Sequence, residues 1–149
     1  AMVAVEDDWI LVHDAARPCL SAAMLDALEA RGVRLALVTN KMERLALKLL
    51  NELGLASRFA TIIGGDTLGP GKQKPKPDLL HLMVERTGAQ APAFIGDTTF
   101  DTGAARAAGI PCVAVSFGFC NRAPHDLGAD AVIDHYDQLL PTLERLGKA

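Results

Sequence analysis

Six polar residues in this chain carry types and spacings that suit chemistry on a phosphate group. Asp14 follows the apolar run "WILVH", Thr39 and Asn40 follow "VRLALV", and Asp97 follows "PAFIG". Asp101 stands four residues beyond Asp97, so one helical turn would bring the two carboxylates to one side. Lys74 sits in the loop "GKQKPKP" and can supply the positive charge that holds a phosphate; Lys72 and Lys76 flank it as alternatives. Oxygen ligands converging from Asp14, Asp97 and Asp101 favour a hard divalent cation, Mg²⁺ before others. A hydroxyl, backbone amides, a lysine and a metal around a nucleophilic carboxylate describe phosphoryl transfer through an aspartyl-phosphate.

Those residues reach a common place only if the runs before them are strands of one sheet. Apolar runs alternate with helix-period segments along the chain, which predicts an α/β domain built on a parallel sheet. Strands are expected at 9–13, 33–38, 59–65, 92–96 and 111–116, with a short sixth at 130–134. Helices are expected from an N-cap at Ser21 to about Arg31, over 41–53, from Pro77 to Thr87, over Thr99–Ala108, and over 136–147 with Pro141 near the first turn. In the second helix Leu45, Leu49, Leu50 and Leu53 recur at helical spacing and are expected in the core. In an open parallel sheet ligands bind beyond the carboxyl ends of the strands, which is where Asp14, Thr39, Asn40 and Asp97 fall.

The composition narrows the functional classes. The 149 residues are about one domain's worth, and half of them are apolar. A net charge of -3 gives no reason to expect nucleic acid or an anionic membrane surface as partner. No apolar run is long enough to span a bilayer, and no signal segment opens the chain, so the expected setting is the cytoplasm. Cys19, Cys112 and Cys120 are odd in number and unrelated in spacing, as expected for reduced thiols. His13, His81, His125 and His135 show no ligand spacing.

From about Met24 onward the chain resembles the haloacid dehalogenase superfamily, and within it the phosphoglycolate phosphatase-like branch. "LALVTNK" resembles that family's second motif, with Thr39 as the phosphate-binding hydroxyl. The lysine of its K-P-x-P third motif falls on Lys74, and "GDTTFD" resembles the acidic fourth motif carrying metal-binding Asp97 and Asp101. The resemblance implies a Rossmann-like three-layer sandwich with a five- to six-stranded, mainly parallel sheet, and Mg²⁺ as cofactor.

The family's first motif, D-x-D-G-T, is absent. Residues 5–21, "VEDDWILVHDAARPCLS", instead resemble the "HDAARP" signature of methylerythritol-phosphate cytidylyltransferases, as though residues 1–22 were a foreign strand and turn completing the sheet. Asp14 then occupies the topological place of the phosphatase nucleophile. The family also gives the metal a backbone carbonyl two residues on, which Ala16 can supply, but alanine cannot act as the general acid. A second register, with Glu6 and Asp8 mimicking D-x-D, is the alternative. Between Asp14 and Thr39 there is room for one helix and no cap domain.

The expectation is therefore a capless Mg²⁺-dependent phosphatase acting on small phosphorylated metabolites, slow and broad in specificity, with a homodimer partner as a candidate cover for the site. The alternative is a catalytically inactive scaffold that keeps phosphate or metal affinity.

Overall fold

The computed structural model describes residues 9–12 and 22–146. Glu6, Asp8, His13, Asp14, Ala16 and the "HDAARP" turn lie outside the described residues.

Six strands form one sheet: β1 (Trp9–Val12), β2 (Arg34–Val38), β3 (Phe59–Ile63), β4 (Ala93–Gly96), β5 (Cys112–Val115) and β6 (Ala131–Ile133). Their spatial order is β3-β2-β1-β4-β5-β6, and every pairing is parallel. Strand one lies beside strand two, as the alternating pattern required. Its other neighbour is β4, so Val12 stands opposite Leu37 on one side and Ile95 on the other. Connections run outward to one edge through β2 and β3 and to the other through β4, β5 and β6. The crevice at the carboxyl ends of β1 and β4 is thus the topological switch point.

Helices cover both faces because the strands are apolar on both. Leu35 and Leu37 of β2 pack under α1 (Ala22–Ala30), α2 (Glu43–Glu52) and α5 (Leu139–Arg145), with Leu25, Leu28, Leu50 and Leu143 buried there. Ala36 and Val38, one residue out of phase, pack with Phe94 under α3 (Asp78–Thr87) and α4 (Thr99–Ala108), against Leu79, Leu80 and Met83. Each fully buried leucine, methionine or phenylalanine contributes roughly 1.5–3 kcal/mol of transfer free energy. This is the three-layer α/β sandwich expected from the sequence. No helix among the described residues is long and apolar enough to cross a membrane.

Three local features depart from expectation, each for an identifiable reason. The second helix begins at Glu43, two residues late, because Met42 is extended (φ -56°, ψ 135°) and the Glu43 N–H is capped from another segment by Asp66 Oδ1 at 2.8 Å. Its buried positions are Ala46 and Leu50, whereas Leu45 and Leu53 are exposed. A four-residue step of small and large apolar groups faces the sheet, and the outer leucines do not. The closing segment is split into a 3₁₀ turn (Tyr136–Gln138) followed by α5. Pro141 has no N–H to donate, so it fits only within the first turn of a helix beginning at Leu139.

Glycine closes three of the helices. Gly32, Gly88 and Gly109 adopt φ of 76°, 69° and 71° at the ends of α1, α3 and α4, a backbone region that costs glycine no steric energy.

Candidate active site

Thr39 follows β2, and its amide bonds to Ile63 O at 3.0 Å, fixing it at the sheet's carboxyl edge. The residue is buried, and its Oγ1 accepts the Lys41 N–H at 3.1 Å. An oxygen that accepts from the backbone keeps its own proton to donate, as a phosphate-binding hydroxyl must.

Of the three loop lysines, Lys74 alone is carried inward. Lys72 pairs with Asp78 at 3.2 Å on the surface and holds that carboxyl below its usual range. Lys76 donates to Gly71 O at 2.6 Å, also on the surface. Lys74 is 3% exposed; its Nζ donates to Val38 O at 3.0 Å and to Asp101 Oδ1 at 2.6 Å, and lies 5.2 Å from the Phe94 ring centroid. Cation, carbonyl, carboxylate and ring face compensate one another, as a charge out of water requires.

Asp101 occupies the third position of α4 and is fully buried. Its Oδ2 accepts from Thr98 Oγ1 at 2.9 Å, Thr98 N at 3.1 Å and Asp97 N at 3.2 Å, a capping-box arrangement that closes the start of the helix. A Cβ on Gly96 would come within 2.4 Å of the Asp101 Cβ, so the glycine of "GDTTFD" makes this approach possible. The expected role of Asp101 as a direct metal ligand meets a physical obstacle here. Both its oxygens are engaged by protein donors, one of them an ammonium.

Asp97, one residue past β4, is likewise buried at 3% exposure. Its Oδ2 accepts the Phe119 N–H at 2.6 Å, and a Cβ on Gly118 would come within 2.4 Å of the Asp97 Cβ. The loop after β5 therefore wraps closely around this carboxylate. Asn121 anchors the loop: its Oδ1 accepts Thr99 N at 3.0 Å and its Nδ2 donates to Thr99 Oγ1 at 2.8 Å. Phe117 and Phe119 of the same loop, with Phe100 of α4, are exposed.

Asn40 was expected to bind phosphate, but its side chain turns to Lys74. Nδ2 donates to Lys74 O at 3.0 Å, and Oδ1 accepts Lys74 N at 2.9 Å. Sequence reasoning missed this contact and the parts played by Asp66, Gly118, Phe119 and Asn121. The glycine and asparagine of "FGFCN" mark a tight turn, but nothing in them says that the turn closes on Asp97.

Both described thiols are pushed above the ordinary thiol range. Burial, then the negative charges of Asp101 and Asp130, push Cys112 well above the usual thiol range. Burial, then Asp97, raises Cys120, which also has a positive φ of 21°.

Asp97 offers a carboxylate, the kind of oxygen ligand that Mg²⁺ takes alongside retained waters. Gly118 leaves room for nothing larger against the Asp97 side chain. Among the described residues no group of three or more His, Cys, Asp or Glu side chains could hold a metal.

An open parallel sheet with a buried lysine, a strand-end threonine and a strand-end aspartate on its carboxyl rim defines a hydrolase-type α/β core. The haloacid dehalogenase-like hydrolase pattern matches residues 20–115, which take in Thr39, Lys74, Asp97 and Asp101, and the chain belongs to that family. It is 41% identical over 119 residues to the phosphoglycolate phosphatase of Rhodospirillum rubrum, covering 78% of this chain and 48% of that protein. It is also 41% identical over 123 residues to the phosphoglycolate phosphatase of Agrobacterium fabrum, covering 80% and 51%. The chain thus spans about half the length of the curated relatives it matches. A crystal structure of a predicted phosphoglycolate phosphatase from Haemophilus somnus 129pt superposes with a TM-score of 0.74 at 28% identity, over 80% of this chain and 54% of that one. The family match begins after "HDAARP", so neither it nor the described residues bear on the cytidylyltransferase resemblance.

Proposed function

We propose that the chain is the core of a phosphomonoesterase acting on small phosphorylated metabolites through an aspartyl-phosphate. The observation that carries this reading is the ammonium of Lys74, brought into the interior and held between Val38 O and Asp101 at the strand ends that bear Thr39 and Asp97. A buried cation with this orientation serves an anionic ligand better than it serves stability, since a buried ion pair rarely improves on apolar packing. The names of the curated relatives support a phosphate ester as substrate.

In this reading Asp14, two residues beyond Val12, attacks phosphorus. The Thr39 hydroxyl and the Lys74 ammonium bind the phosphoryl oxygens, and Asp101 holds Lys74 in place. Asp14, Asp97 and the carbonyl of Ala16 are the protein ligands for Mg²⁺; Asp101, also expected as a ligand from the sequence, is read here as holding Lys74. The cation, when bound, would neutralise charge on the phosphate and orient it. Ala16 offers no proton to the leaving oxygen, so turnover is slow and favours leaving groups that need little protonation. With no cap in the described residues, substrate selection is broad, and a second copy of the chain is a candidate cover for the site. The first strand and turn are read as a segment of cytidylyltransferase type completing the sheet.

Phosphate release from p-nitrophenyl phosphate, with and without Mg²⁺, tests this. Asp14→Asn is expected to abolish turnover with the fold retained, and Ala16→Asp to raise turnover of alkyl phosphates by part of the ~10²–10⁴-fold of general acid catalysis. Full activity in Asp14→Asn together with its loss in Glu6→Gln or Asp8→Asn would move the nucleophile upstream. No Mg²⁺-dependent release from the wild-type chain would leave the inactive scaffold.

A further inference from the structure

Lys74 must hold its ammonium at one point, yet its main chain belongs to the long loop 64–77, which is rich in glycine and proline and contains no helix or strand. No helix or strand ladder holds the base of this lysine. Both main-chain polar atoms of Lys74, its N–H and its C=O, are taken up by the Asn40 side-chain amide, at 2.9 Å and 3.0 Å. Two opposed hydrogen bonds to one planar amide fix both distance and orientation.

Asn40 is itself anchored. The residue before it bonds to β3 through Thr39 N and Ile63 O, and the residue after it accepts from Gly65 N at 2.8 Å through Lys41 O. Gly65 approaches so closely that a Cβ there would lie 2.3 Å from Asn40 O. A second set of bonds ties the same loop to the start of α2: Thr67 Oγ1 receives Gly64 N and donates to Glu43 Oε2, while Asp66 caps Glu43 N. The segments are laced together on either side of the Asn40 amide.

Resting on the phosphatase reading above, we infer that Asn40 is a positioning residue. It sets the base of Lys74 so that the ammonium meets phosphate with its geometry already fixed, and its side chain does not itself bind the ligand. Asn40 thereby joins the end of β2, where Thr39 binds phosphate, to the loop that delivers the second phosphate-binding group. Preorganisation of this kind matters because misplacing a reacting or binding group by about 1 Å can lower turnover ~10²-fold.

The test is a pair of readouts on Asn40→Ala and Asn40→Asp. The first is the ¹H–¹⁵N signal of the Lys74 ammonium, which burial protects from exchange and which Lys74→Met assigns by its disappearance. It needs no activity. Asn40→Ala should shift or broaden this signal, and Asn40→Asp, which keeps the acceptor for Lys74 N, should perturb it less. The second is turnover of p-nitrophenyl phosphate. Asn40→Ala should lower kcat by about 10²-fold with a smaller change in KM, and Asn40→Asp should recover part of that. In a Lys74→Met background the further loss on removing Asn40 should be under about twofold, because the two act as a unit. An unchanged ammonium signal in Asn40→Ala overturns the inference whether or not the wild-type chain turns over substrate. So does a full extra loss in the Lys74→Met background, which would mean that Asn40 acts on the phosphate directly. A perturbed signal in a chain without turnover supports the positioning role and removes only the phosphatase reading.

Discussion

The two charged halves of the candidate site are built in opposite ways. Lys74 is held from within: its ammonium touches a strand carbonyl, a helix-start carboxylate and a ring face, and its main chain is gripped by Asn40. Asp97 is held from outside, by a surface loop whose backbone supplies Phe119 N and whose Asn121 is fastened to Thr99. The first half carries its own counter-charge in Asp101, so it can exist fully formed in the protein alone. The second places a buried carboxylate at the carboxyl end of β4, closed over by the loop after β5. On the proposed reading, the phosphate-binding half lies in the core, while the metal-binding half leans on a loop at the surface.

That contrast can be broken most forcefully at Asp101. Replacing it by alanine leaves Lys74 buried without its carboxylate and opens the cap of α4. A loss of about 3–5 kcal/mol is expected in urea unfolding, the range for a buried ion pair deprived of one partner. If stability were unchanged, the lysine half would not be core-built.

Asp97→Asn should act on the other property. The amide still accepts from Phe119 N, so the fall in unfolding midpoint should be well below that of Asp101→Ala. Turnover dependent on Mg²⁺ should drop by ~10²-fold or more, since a metal's stabilisation of phosphoryl charge is worth several kcal/mol. Equal destabilisation by the two variants would erase the distinction between the halves.

Gly118→Ala sharpens it. A methyl 2.4 Å from the Asp97 Cβ must push the loop away, and Mg²⁺ affinity followed by titration of activity should weaken ~10–100-fold, the scale for disturbed supports of a metal ligand. The Lys74 ammonium signal should not move. Asn121→Ala frees the same loop without a clash and should give a smaller loss of Mg²⁺ affinity.

The smallest effect expected is at Cys120. The negative charge of Asp97 adds to burial in raising this thiol, so Asp97→Asn should lower its pKa, increase the thiolate fraction at a given pH and speed alkylation modestly. Peptide mass spectrometry at pH 8 would read it, and an unchanged rate would place Asp97's charge too far away to matter.

Much of the rim could be read before the fold was known. Thr39 and Asp97 stand out because apolar runs end abruptly in polar residues, Asp101 because it follows Asp97 by one helical turn, and Lys74 because it sits in a lysine- and proline-rich loop; all of these are local properties. The parallel sheet and both helical layers follow from periodicity that neighbouring residues carry. The limits of α2, by contrast, depended on a cap from Asp66, a partner distant in sequence that periodicity does not register.

What the sequence by itself determined, then, is which residues can do chemistry and that they end strands of an α/β sheet, because both follow from residue type and short-range spacing. Only the tertiary structure decided that β1 lies between β2 and β4, so that the switch point falls beside Thr39 and Asp97. It also selected Lys74 from three lysines as the buried one, turned the Asn40 side chain onto the Lys74 main chain, and gave Asp97 and Asp101 different hydrogen-bond partners. Those outcomes depend on which way a side chain points and which distant donor reaches it first. Long-range packing settles both, and no spacing within one segment encodes it.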